Sequence, residues 1–520
     1  MKNKITIIIY ALLTTISPLL GACSSDDKKS GEDLLVGYIN SMDFSYVDSK
    51  LSITLDMAYS STISKMKIDY RQYIPASDEQ NEWTSVTING PFQETTTQEI
   101  SVPQSNTYEI RITLINAAGV NSIPQTKIIR AYTQEEMLHT PLFDCANEQM
   151  KVIIDKYFAK SSRTIWQNQY PNKMSGENIY WDGDALVWGQ GSGLSAFVAI
   201  REATLNTSDA SYYTSLDDDI YNGIQGFYVT DQNVTAYSCY PASGNDRFYD
   251  DNVWIGLDMA NWYKITKNER YLTQAKAVWT YLTEHGWTDT CKGGVLWKEL
   301  QKPSDGKHTC STAPTGVLSC RLYEITQDKK YLDWAIKIYN WLNEVMKDPN
   351  DHLFYDNVQP DDNNPNEIGK IEKTKYSYNS GQVLQLACML YKHTQDEKYL
   401  TEAKNIANAC HDMWFKDFHS NVLNCDFKIL SPGSAWFHAV MSRGLFELYS
   451  IDKDPVFLND LRYTMLHAWY GPAHQENGLI NDDDLSGNGK DKNSWEILQQ
   501  GGLVELMARL AIWEKEVNNK

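Results

Sequence analysis

The strongest constraint on this chain is a helical phrase that returns about every sixty residues. The stretches "TKNERYLTQAKAVWTYL" from Thr266, "TQDKKYLDWAIKIYNWL" from Thr326 and "TQDEKYLTEAKNIANAC" from Thr394 superimpose, each with Thr followed by Tyr-Leu. In the third, Tyr399, Ala403, Ile406, Cys410 and Met413 fall at helical spacing, as expected of an amphipathic helix with one buried stripe. "TSDASYYTSLDDDIY" from Thr207 keeps the Thr-to-Tyr spacing, and "KDPVFLNDLRYTMLHAWY" from Lys453 is a looser copy. Before each copy lies a segment that is apolar nearly all round, such as "VWIGLDMANWYKI" and "GQVLQLACMLYKH". A helix apolar on every side is buried between layers, with its amphipathic partner outside it. With "CANEQMKVIIDKYF" as the first outer helix and "SWEILQQGGLVELMARLAIW" as the last inner one, the pairs number six. The expected fold is mainly α, an (α/α)6 barrel over residues 133–520.

The connections locate the site. Inner-to-outer links are tight, around Thr-x-Asp, whereas outer-to-inner links such as "GWTDTCKGGVLWKELQKPSDGKHTC" are long and rich in Gly, Pro, Asn and Trp. Long loops in a compact domain are usually functional. All of them should gather where the inner helices begin. Counting back fifteen and sixteen residues from the repeat threonines gives Ser192 and Gly191, Asp251 and Asp250, Ser311 and Cys310, Asn379 and Tyr378. Only one repeat places two acids at this position. The other acidic runs, at Asp26, Asp217, Asp361 and Asp482, fall in a linker, on an outer helix or in loops, and are expected to be solvated.

Two carboxylates on a cleft floor can divide acetal cleavage, one attacking the anomeric carbon while the other protonates the leaving oxygen. Retaining glycosidases hold them about 5–5.5 Å apart, inverting ones about 6.5–9.5 Å. Neighbouring Cα atoms lie about 3.8 Å apart, so adjacent acids in a non-helical entrance favour retention. The plain alternative is a helix cap, which Asp suits, but a cap accounts for one acid and not two. Trp181, Trp254, Trp297, Tyr378 and Asn379 lie on the loop face or at inner-helix starts and are candidates to line sugar subsites, with core packing the alternative for each.

A formal net charge of -20 argues against nucleic acid, anionic lipid surfaces and polyanionic substrates. A neutral polysaccharide suits it, and the 16 Trp and 32 Tyr supply faces on which sugar rings stack. No CxxC or Cys/His cluster suggests zinc, and "DLSGNGKDKNSWE" from Asp484 is a poor calcium loop, with Trp495 where the terminal Glu belongs. No cofactor or metal is expected. Cys320 and Cys388 read as small core residues, while Cys291 and Cys310 flank one loop and could pair. Only His438 lies well inside an inner helix, which argues against a histidine-dependent sugar epimerase.

"YDDNVWIGLDMANWYKITKNERYL" resembles the signature of glycoside hydrolase family 76, the endo-α-1,6-mannanase family. "GGVLWKEL" from Gly293, "TGVLSCRLYEITQDKKYLDWAIKIYNWL" from Thr315 and "YSYNSGQVLQLACMLYKHTQDEKYL" from Tyr376 extend the likeness over most of 133–520. The resemblance implies cleavage of α-1,6-mannan with Asp250 as nucleophile and Asp251 as acid/base. It also leads one to expect Phe-Lys-Gly where this chain has Phe437, His438 and Ala439. Two other readings remain: a surface lipoprotein that binds glycans without cleaving them, and an unsaturated uronyl hydrolase, whose anionic substrate suits the charge poorly.

Residues 34–132 alternate with period two between turns, as in "KLSITLDMAY" and "TYEIRITLINAAGVNS", which predicts a small β-sandwich. Its closing strands resemble a fibronectin type III or immunoglobulin-like domain, with a spacer role favoured over glycan contact. Residues 1–22 have a basic start, a short apolar run and small residues, the layout of a secretory signal. "LGAC" resembles a lipobox, which implies lipidation of Cys23, and the linker 23–33 resembles an export tag to the outer face of the outer membrane. The sequence leaves oligomeric state, disulfide connectivity, endo or exo action and branching tolerance open.

Overall fold

A computed structural model describes residues 35–47, 49–75, 79–159, 165–172, 183–241, 246–299, 306–490 and 492–518. The chain divides into two compact units, with the break between Ala131 and Tyr132.

Among the described residues the first unit holds seven strands: β1 (Tyr38–Val47), β2 (Lys50–Ala58), β3 (Ile63–Gln72), β4 (Thr84–Asn89), β5 (Thr95–Ser101), β6 (Asn106–Asn116) and β7 (Gln125–Ala131). They form two antiparallel sheets, ordered β1-β2-β5 and β4-β3-β6-β7. Alternate residues of β2 (Leu51, Ile53, Leu55, Met57) share one core with Met66 and Ile68 of β3 and Ile110, Ile112 and Leu114 of β6. This is the period-two burial the sequence predicts.

The second unit is mainly helical. Its inner helices are α2 (Val187–Ala203), α4 (Tyr249–Thr266), α6 (Thr309–Thr326), α8 (Ser377–Thr394), α10 (Ala435–Asp452) and α12 (Ile497–Asn518). Their outer partners are α1 (Leu142–Tyr157), α3 (Asp217–Gln225), α5 (Glu269–Tyr281), α7 (Lys329–Trp341), α9 (Glu397–Trp414) and α11 (Val456–Tyr470). Among the described residues each inner helix packs on the next, and α12 packs on α2, closing the ring. Glycines permit the tightest approaches. A Cβ on Gly381 of α8 would lie 2.3 Å from the Cα of Met441 in α10, and one on Gly502 of α12 would lie 2.7 Å from the Cα of Trp436.

The Thr-x-Asp phrase builds each tight turn. The hydroxyls of Thr266, Thr326 and Thr394 donate to the carbonyls four residues back, at 2.7–2.8 Å. The next residues, Lys267, Gln327 and Gln395, take left-handed backbone angles (φ 57–59°) and end the inner helix. Asn268, Asp328 and Asp396 then cap the outer helix by accepting from the amide two residues on. In the first repeat this role belongs to Thr204, whose hydroxyl donates to Ile200 O at 2.8 Å, and not to Thr207. The register there moves by three, so Trp188 and Gly189, rather than Gly191 and Ser192, match Asp250 and Asp251. The outer element that follows is broken into Ala210–Thr214 and α3.

Other expectations also need correction. Met413 is exposed rather than part of the buried stripe of α9. Asp482 is buried, paired with Lys492 at 2.7 Å and accepting from Gln500 Nε2 at 3.1 Å, so it is not a solvated loop acid. Asp217 is paired with Arg201 at 2.8 Å. Cys291 and Cys310 are free thiols. The Cys291 thiol faces Val358 O and that of Cys310 faces a carboxylate, so no bridge joins them.

Candidate active site

The long outer-to-inner connections meet where the inner helices begin. Three of those helices start alike, with Phe248, His308 and Tyr376 at the N-cap in extended backbone (φ -107°, -113° and -113°). The second residue of each then faces the loops. A cavity of about 510 Å³ lies there, and Trp188, Asp250, Cys310, Tyr378 and Trp436, each the second residue of its helix, line it.

Asp250 and Asp251 are the second and third residues of α4, in its first helical turn rather than in a non-helical entrance. Neither is the N-cap, so the capping alternative for the doublet falls. The two acids are treated unequally. Asp250 Oδ2 accepts from Trp297 Nε1 at 2.9 Å and from the Cys310 thiol at 3.5 Å, and Oδ1 accepts from the Asp251 amide at 3.0 Å. Among the described residues the Asp251 carboxyl has no hydrogen-bond partner, and no Lys or Arg pairs with either acid. Burial pushes Asp250 up to about 6, held back by the Trp297, Asp251-amide and Cys310 donors. Burial, and then the charge of Asp250, push Asp251 well above the carboxylate range. The pair therefore shares one proton, and the donors place it on Asp251.

Trp297 is brought over α4 by a short antiparallel pairing: the Tyr249 amide donates to Trp297 O at 2.8 Å and the Glu299 amide to Arg247 O at 3.0 Å. The buried Arg247 grips the Glu299 carboxylate with two bonds, at 2.5 and 2.8 Å. The Trp297 ring stacks on His308, 5.4 Å between centroids at 23°. Burial lowers the His308 pKa against the pull of the Asp356 carboxylate. Asp356, a third acid on the cavity, accepts from Asn357 Nδ2 at 2.9 Å and Asn379 Nδ2 at 3.2 Å. The opposite wall is aromatic. Tyr378 stacks on Phe437 at 4.2 Å and 23°, and Trp254 and Trp188 meet Trp436 edge-on at 5.3 and 5.5 Å. Among the described residues the lining contains no lysine or arginine, and such a cavity suits an uncharged ligand with faces to stack and hydroxyls to donate.

Of the residues singled out in the sequence, Asp250, Asp251, Trp254, Trp297 and Tyr378 meet at this cavity. Asn379 does not line it; it is buried behind the wall and orients Asp356. Trp181 and Cys23 lie outside the described residues. His438 turns away, its Nε2 3.1 Å from Ser431 O, and burial lowers its pKa to about 4. Sequence reasoning missed Trp188, His308, Asp356, Trp436 and Phe437. The correct register reaches Trp188 and Trp436, and the N-cap position reaches His308. Asp356 carries no local signal.

The model of glycosyl hydrolase family 76 matches residues 145–520. The chain belongs to this family. The crystal structure of a family 76 glycoside hydrolase from a bovine Bacteroides thetaiotaomicron strain is 54% identical, with TM-score 0.72, covering 92% of this chain and 99% of that one. A mannan endo-1,6-alpha-mannosidase of Eremothecium gossypii is 26% identical over 234 residues, 43% of this chain and 49% of that protein. The chain spans about half the length of the curated relatives it matches. An inactive double-aspartate variant of an alpha-1,6-mannanase of Salegentibacter sp. HEL1_6, solved with alpha-1,6-mannotetrose, shares the fold at 21% identity and TM-score 0.56, covering 72% of this chain and 99% of that one. Within family 76 the matched range takes in the whole ring of inner helices and every residue of the cavity.

Proposed function

We propose that this protein is a glycosidase that cleaves α-1,6-mannosidic bonds with retention. The unequal hydrogen bonding of the doublet carries this reading. Asp250, held ionised by three donors and by the positive end of α4, attacks the anomeric carbon. Asp251, protonated, gives its proton to the glycosidic oxygen as the C–O bond breaks. A mannosyl ester on Asp250 results. Asp251, now a carboxylate, takes a proton from water, whose oxygen attacks the anomeric carbon and frees Asp250. Trp254, Trp297 and Tyr378 supply stacking surface, and Asp356, oriented by Asn379, accepts sugar hydroxyls. The Salegentibacter relative, inactive with two consecutive aspartates replaced and bound to alpha-1,6-mannotetrose, supports both the role of the doublet and the substrate.

In the same reading the helical unit is an (α/α)6 barrel, and the strand order of the first unit favours a fibronectin III-like sandwich acting as a spacer. Residues 1–22 are a lipoprotein signal, Cys23 carries the lipid after cleavage, and 23–33 link it to the folded units at the outer membrane surface. Loss of incorporated palmitate label in Cys23→Ala tests the anchor. The activity is tested by incubating purified protein with linear α-1,6-mannan and separating the products. Release of mannooligosaccharides is expected; binding without release would make the protein a glycan binder instead.

A further inference from the structure

Asp250, Cys310 and Tyr378 are each the second residue of consecutive inner helices, and their side chains form a row across the cavity floor. The Cys310 thiol donates to Asp250 Oδ2 at 3.5 Å, and Tyr378 lines the cavity beside it. Cys310 is only 4% exposed, which leaves its thiol little water to bond in place of the carboxylate. Trp297 Nε1 reaches the same Oδ2 from the loop side. We propose that Cys310 is a positioning residue that keeps the Asp250 carboxylate charged and aimed at the sugar. The inference rests on the nucleophile role given to Asp250 above.

A thiol suits the task. It is a weak donor of long reach, and burial together with the charges of Asp250 and Asp356 keeps its own ionisation well above the ordinary range, so the S–H persists as a donor. Position two of α6 is thus occupied by a side chain that serves position two of α4. The other face of Tyr378 is fixed by its stack on Phe437.

The test compares Cys310→Ala, Cys310→Ser and Tyr378→Phe with wild type, using α-1,6-mannotetraose and the pH profile of kcat/KM. Losing a donor to the charged form should move the ascending limb of Cys310→Ala to higher pH by about half to one pH unit. Serine keeps a donor, so its limb stays at or below that of wild type, and Tyr378→Phe, which leaves the Cys310 donor in place, keeps its limb near that of wild type. A ¹³C NMR titration of the aspartate carboxyls reads the same shift without turnover. The proposal is overturned if alanine and serine move the limb equally, if neither moves it, or if the carboxyl titration is unchanged. Should Asp250→Asn retain wild-type activity, the nucleophile assignment fails instead, whatever the Cys310 variants do.

Discussion

Helix α4 and its neighbours hold acids at two depths, and the two layers are built in opposite ways. Deep in the ring, Glu505 of α12 is fully buried and gripped by Arg443 of α10 at 2.7 and 2.8 Å, with Arg509 at 2.7 Å. Burial raises its pKa, but the two guanidiniums prevail and bring it to about 2. Glu447, contacted by Arg321 at 3.0 Å and by Lys392, is likewise brought to about 2. At the mouth, Asp250 and Asp251 are half-buried, yet among the described residues no cation meets them and both shift upward. Glu505 and Glu447 hold helices together and are given the counter-charge that offsets their desolvation, whereas Asp258 of α4, also buried and bonded among the described residues only by Ser195, is pushed up to about 7. Where the acid must react, the fold withholds it, leaving a proton shared between two carboxyls.

The contrast can be broken from either side. The largest effect is expected from Asp250→Asn or Asp251→Asn, each lowering kcat by about 10²–10⁴-fold, while in Asp250→Asn melting at pH 7 stays level or rises because a desolvated charge has been removed. In the deep layer the pattern reverses. Arg443→Met leaves Glu505 with Arg509 alone and Asp258 with its one bond, from Ser195 at 2.6 Å, and should cost about 3–5 kcal/mol in urea denaturation.

The pH dependence of stability sharpens the same comparison. The folded pKa of Glu505, about 2, lies below the ordinary value, so its contribution is present above about 4.3 and is lost as pH falls toward 2. The folded pKa of Asp250, about 6, lies above it, so its contribution is complete below about 3.9 and is lost as pH rises through 6. Thermal melts of wild type and Asp250→Asn should therefore coincide near pH 4, and the variant should be the more stable near pH 8. The smallest effect belongs to the aromatic wall. Trp188→Ala removes a ring that is 38% exposed, and should raise KM for mannooligosaccharides by about 5–100-fold with kcat nearly unchanged.

The ring of helices was legible because its signals are local: an all-round apolar helix, a threonine closing it, an Asp or Asn capping the next. The doublet was legible because its register put it at a helix start. The first repeat misled because Thr207 mimics, three residues late, the work of Thr204. By sequence Cys310 could pair with Cys291, because sequence shows where a thiol lies in a loop and not which helix start it faces. Asp356 acquires meaning only through Asn357 and Asn379, the latter on the following inner helix, a contact made by tertiary packing alone. Asp482 reads as surface until Lys492 folds back onto it.

The central claim is that Asp250 and Asp251 act as nucleophile and acid across one proton. It is met most directly by following the anomeric protons of the first products by NMR as the protein cleaves linear α-1,6-mannan. The α-anomer should form first and mutarotate later, whereas a first-formed β-anomer would contradict a nucleophilic Asp250.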